Sequence, residues 1–110
     1  MKLYLIDELR SEDLKKIKRY LNDSFGNPVL GNIYWVELDR DILTPVQKTH
    51  VNCSPHVFAL DLGKDYLSCE FLVRIKKNIK CECMAYATPR QRDWLINKID
   101  LILDELGIVI

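Results

Sequence analysis

The chain has 110 residues, enough for one domain that buries a core without disulfide staples. Hydrophobic residues make up 48% and charged residues 29%, a globular balance that excludes a disordered chain. Sixteen basic side chains oppose sixteen acidic ones, so no global field draws the protein to nucleic acid or an anionic membrane, and weak charge repulsion eases self-association.

Residues 3–6 are apolar and read as a short strand, but Asp7 and Glu8 follow at once. That run is too short for a signal-peptide core. No stretch approaches the roughly 18 apolar residues of a membrane span. The expectation is a cytoplasmic protein, in which four cysteines are free thiols or metal ligands and not disulfides.

A helix is predicted over residues 11–25. Ser11 reads as its cap, Glu12 and Asp13 suit the dipole in the first turn, and Leu14, Ile17, Leu21 and Phe25 recur at helical spacing. Gly26 and Pro28 stop it. Residues 33–38 are β-branched and aromatic, and read as a strand. A short helix near 45–50 starts at Thr44-Pro45-Val46-Gln47. There the threonine caps, the proline takes the first helical position and the glutamine bonds back. Pro55 keeps this helix short. The same signature recurs at Thr88-Pro89-Arg90-Gln91, which reads as shared capping chemistry and not as a repeat.

Three strands over residues 56–62, 66–76 and 80–87 read as an antiparallel meander. Leu67, Cys69, Phe71, Val73 and Ile75 share one face of the middle strand, and Cys81, Cys83, Ala85 and Ala87 share one face of the last. A turn at Lys77-Asn78 separates these two. The final helix covers about 89–106 and stops at Gly107. Leu95, Ile99, Ile102, Leu103 and Leu106 form its apolar stripe, which Ile96 and Leu101 widen. The expectation is a single α+β domain over residues 1–110. Its antiparallel sheet has about four or five strands, with the helices packed mainly on one face. Trp35 and Trp94 read as packing residues. The tail Ile108-Val109-Ile110 either docks on its own domain or reaches a partner.

All the cysteine and histidine fall in a window of 34 residues: His50, Cys53, His56, Cys69, Cys81 and Cys83. Zinc needs about four ligands in tetrahedral array, with sulfurs ~2.3 Å from the metal and so about 3.8 Å from each other. The loop His50-x2-Cys53-x2-His56 can converge on one ion, with Cys81 or Cys83 as the fourth ligand. In a regular strand, residues i and i+2 are roughly 6.5–7 Å apart, which argues against Cys81 and Cys83 binding together. Strand alternation also gives Cys69, Cys81 and Cys83 a core reading, and His56 shares parity with Phe58, Leu60 and Leu62. The spacing matches neither a zinc finger nor a zinc ribbon.

Three functional readings follow. The first is a binding or interaction domain with a structural zinc ion held by His50, Cys53, His56, Cys81 and Cys83 as candidate ligands. The second is a cysteine-dependent enzyme that uses Cys53 with His50 or His56 as base. No oxyanion-hole signature or third orienting group accompanies it, so the balance is against catalysis. The third is a metal-free interaction or dimerisation module whose partner is another protein or a second copy. Arg90 and Arg92 oppose the dipole of the last helix but lie about 200° apart around it, so pairing with carboxylates explains them better than an anion clamp. The basic stretch Arg74, Lys76, Lys77 and Lys80 shares its region with Glu70 and Glu82, and reads as a solvated strand end.

Overall fold

The computed structural model describes residues 2–77 and 80–109. Asn78 of the second predicted turn and Ile110 of the tail lie outside the described residues. Among the described residues the fold is α+β, with a six-stranded antiparallel sheet and three α-helices. In chain order these are β1 (Leu3–Ile6), α1 (Ser11–Phe25), β2 (Ile33–Glu37), α2 (Pro45–Thr49), β3 (His56–Leu62), β4 (Leu67–Glu70), β5 (Leu72–Ile75), β6 (Ala85–Tyr86) and α3 (Pro89–Glu105). Two 3-10 turns, Arg40–Ile42 and Val51–Cys53, flank α2.

β3 lies at the centre. β2 pairs along one side of it, with Val36 opposite Phe58, while β4 and β5 pair along the other. The single strand expected over 66–76 is interrupted at Phe71. Leu60 pairs with Cys69 and Val57 with Arg74, so three steps along β3 face five along its neighbour. The two surplus residues make a bulge. Two is also the side-chain period of a strand, so the bulge leaves the faces unreversed, and Leu67, Cys69, Val73 and Ile75 are all buried. At the break the Phe71 N–H donates to the Lys2 carbonyl (2.9 Å), and its carbonyl accepts from the Ala87 N–H (2.7 Å). β1 and β6 therefore continue one another along the outer edge, against β4 and β5 respectively.

The predicted strand over 80–87 is much shorter. Only Ala85–Tyr86 is extended, and residues 81–84 turn back on themselves, with the Met84 N–H on the Cys81 carbonyl (3.0 Å). A backbone carbonyl bent into a turn needs another partner, and Cys83 finds one in a side chain described below.

α1 and α3 cover the same sheet face. Ile17 and Leu21 of α1, Leu95, Ile99, Ile102 and Leu103 of α3, and Tyr34, Val36, Phe58, Leu60 and Cys69 of the sheet form one buried cluster. Tyr34 donates to Asn22 Oδ1 (2.9 Å) and Tyr4 to Asp100 Oδ1 (2.6 Å), which fixes each helix to a strand. Trp94 packs against the cluster beside Phe58, and its Nε1 donates to Asp39 (3.2 Å). The cap of α1 is Arg10 and not Ser11; Arg10 Nε bonds the buried Asp13 carboxylate (3.3 Å) and so holds the first turn from outside.

α3 closes with Gly107 at φ 71°, where a side chain would be strained, and the Ile108 N–H returns to the Leu103 carbonyl (2.9 Å). This reversal buries Ile108 in the core and leaves Val109 exposed. Leu101 lies outside the buried stripe of α3, 62% exposed. Among the described residues, no helix is long and apolar enough to cross a membrane.

Candidate metal centre

The site is made by two short segments that α2 brings together. The capping box at Thr44 is complete: the Thr44 hydroxyl accepts from the Gln47 N–H, and Gln47 Oε1 accepts from the Thr44 N–H. α2 runs out at His50, and the 3-10 turn begins there. The Cys53 N–H bonds the His50 carbonyl (3.0 Å). In a 3-10 turn residues i and i+3 eclipse, so the His50 and Cys53 side chains emerge on the same side. The second segment is the turn Cys81-Glu82-Cys83-Met84, whose curvature lets two cysteines separated by one residue point to a common centre.

His50 Nδ1 lies 3.0 Å from Cys81 Sγ and 4.0 Å from Cys53 Sγ, and the Cys53 and Cys81 sulfurs are 3.7 Å apart. With Cys83 Sγ included, the four ligand atoms all lie within 4.8 Å of one another. The sulfur separation is close to the ~3.8 Å expected for two thiolates on one tetrahedral zinc. Beyond the ligand atoms, His50 Nε2 faces Glu82 Oε1 at 3.5 Å. A carboxylate there favours the tautomer with the proton on Nε2, which leaves the Nδ1 lone pair directed at the sulfurs.

The thiols differ in electrostatics. The Cys81 pKa falls to about 7, chiefly because the Cys83 backbone hydrogen-bonds its thiolate, with Cys83, Cys53 and His50 side chains assisting. The Cys83 pKa is pushed up to about 12 by burial and then by the neighbouring sulfurs. Three thiolates crowded together repel one another unless a cation offsets them.

The carbonyl of Cys83 accepts a hydrogen bond from Gln47 Nε2 (3.2 Å). Gln47 Oε1 accepts from Gln91 Nε2 (2.8 Å), which also donates to the Ile42 carbonyl (2.9 Å). Both glutamines are buried, at 3% and 0% exposure. The two Thr-Pro-x-Gln boxes are thus linked in space. Each glutamine closes its own cap through Oε1, and its amide nitrogen then bridges outward. Gln91 anchors the start of α3 to α2, and Gln47 anchors α2 to the cysteine turn. The paired signature was visible in the sequence; the contact between its copies was not.

Of the sequence candidates, the structure gathers His50, Cys53, Cys81 and Cys83. His56 is not in that group. It begins β3 opposite Ile75, is 3% exposed, and neither ring nitrogen has a hydrogen-bond partner among the described residues. Burial, then the charge of His50, lowers its pKa, so it is held as a neutral imidazole. Cys69 is fully buried within the main cluster, with its pKa pushed up to about 12 by burial and then by Asp100. The regular-strand separation expected for Cys81 and Cys83 does not apply, because the segment is a turn.

No protein-family model matches this chain, and no curated protein or solved structure matches it significantly.

Proposed function

We propose that this protein is a small binding domain stabilised by one structural zinc ion, held by the thiolates of Cys53, Cys81 and Cys83 and by Nδ1 of His50. The observation that carries this reading is the convergence of four soft donors from two segments on one point. Four protein ligands fill a tetrahedral shell and leave no open position for water or substrate, which favours a structural over a catalytic role. The ion ties the Val51–Cys53 turn to the turn before β6. The exposed Leu101 and Val109 offer apolar contact to a protein partner or a second copy.

The test is native mass spectrometry of the purified protein against its denatured mass. One zinc per chain, lost on denaturation, is expected. Cobalt substitution should give the visible bands and thiolate charge transfer of a tetrahedral centre with three sulfur ligands and one nitrogen ligand. Cys53→Ser and Cys83→Ser should each abolish retention, whereas Cys69→Ala should keep the metal. A metal-free wild-type chain that takes up no zinc would overturn the reading. The same spectra report monomer or dimer.

A further inference from the structure

We propose that the Cys53–Cys81 pair is an oxidation site: a hydroperoxide converts these two thiolates to a disulfide, and the bond expels the metal. This rests on the zinc reading above and adds its regulation. The sulfurs are 3.7 Å apart, and Cys53 and Cys81 are the two cysteines of intermediate residue exposure. The remaining thiols are shielded, Cys83 at 1% exposure and Cys69 at 0%. The pair with sulfurs 3.7 Å apart is thus also the pair of less buried cysteine residues, which favours it for disulfide formation.

The approach of the pair does not depend on the ion alone. Gln47 and His50 are separated by three positions, and Gln47 grips the Cys83 carbonyl at 3.2 Å. That bond holds the cysteine turn beside the start of the Val51–Cys53 turn. The sulfurs stay adjacent while the bond forms, and the disulfide then takes over the tether that the metal supplied. Only His50 and Cys83 would remain as ligands, half of a tetrahedral shell.

The step balances as follows. One thiolate sulfur attacks a peroxide oxygen, the O–O bond breaks, and a sulfenic acid forms as hydroxide leaves. The second thiolate attacks the sulfenic sulfur, the S–S bond forms, and a second hydroxide leaves. Two protons convert these to water. In sum, two thiolates, one hydrogen peroxide and two protons give one disulfide and two waters, and the zinc ion departs.

The experiment treats zinc-loaded protein with hydrogen peroxide in the presence of a chromogenic chelator, then maps disulfides by trypsin digestion and fragmentation. Expected are release of the bound zinc in step with the loss of two thiols, and a cross-link between peptides 49–64 and 81–90, with fragment ions assigning it to Cys53 and Cys81. Thiol reduction followed by zinc should restore the metal content. Retention of zinc during oxidation, release with sulfinic acid and no cross-link, or a cross-link to Cys83 or Cys69 would overturn the proposal. Metal content before peroxide tests the zinc reading separately. If the chain binds no zinc, that reading fails, and the same map on the metal-free protein still decides whether Cys53 and Cys81 pair.

Discussion

Replacing Gln91 with leucine should destabilise the protein by about 1–3.5 kcal/mol, although the site is a helix residue and leucine is a good helix former of similar size. The side chain is fully buried and makes three hydrogen bonds: from Nε2 to the Ile42 carbonyl and to Gln47 Oε1, and to Oε1 from the Thr88 N–H. The Ile42 carbonyl would lose its side-chain donor inside the protein, which costs about 1–3 kcal/mol. Gln47 Oε1 would keep the Thr44 N–H and lose about 0.5–1.5 kcal/mol. Loss of the return bond at the cap adds roughly 0.5–1 kcal/mol, and the greater hydrophobicity of leucine offsets part of the total, about 1–2 kcal/mol. The assay is urea unfolding of Gln91→Leu with and without chelator. It is joined to Gln47→Leu and the double variant in a cycle. Because the two amides bond each other, the double variant should be less destabilised than the sum of the singles by about 1 kcal/mol or more. A Gln91→Leu loss below about 0.5 kcal/mol, or strict additivity, would refute the buried amide chain.

Three further outcomes follow from the same geometry. Glu82→Gln should weaken zinc binding about 10–100-fold in competition with a chelator, while the stability of the chelated protein stays unchanged, because that carboxylate is exposed and acts through His50. An equal loss of stability in the chelated protein would count against a role at the metal. His56 should titrate below the ordinary imidazole value of 6.5 in NMR spectra, since burial penalises its charged form. Its folded pKa is lowered, so its contribution to stability is complete above that value and is lost as pH falls from there toward the folded pKa; His56→Phe should remove this acid-side loss. Tyr4 should ionise near pH 12, pushed up by burial and then by its bond to Asp100. Its stabilisation is present below pH 10 and lost as pH rises through about 12, and Tyr4→Phe should delete this late-titrating phenol from the ultraviolet titration.

Much of the fold was legible because its signals are local. Period-3.6 spacing, Gly26, Gly107 and the two proline-led capping boxes placed α1, α2 and α3 to within a residue or two. Period-2 alternation identified the buried face of β4 and β5, and it survived the bulge at Phe71 because two extra residues preserve parity. Alternation misled at residues 80–84. Cys81 and Cys83 are spaced as strand neighbours, but a turn also brings residues i and i+2 to one side, and the choice depends on a partner for the Cys83 carbonyl. That partner, Gln47, lies 36 positions away in sequence.

The sequence by itself determined which residues could bind metal, since every thiol and imidazole lies between positions 50 and 83. It also determined the helix starts and the core stripes, because caps and periodicity act over a few residues. Only the tertiary structure decided which donors meet. It joined Cys81 and Cys83 to His50 and Cys53, placed His56 outside the group of four, and coupled the two glutamine caps. The physical reason is range. Side-chain period and capping are set by neighbouring backbone, whereas convergence on a point a few ångströms wide depends on hydrogen bonds between segments about 30 to 50 positions apart.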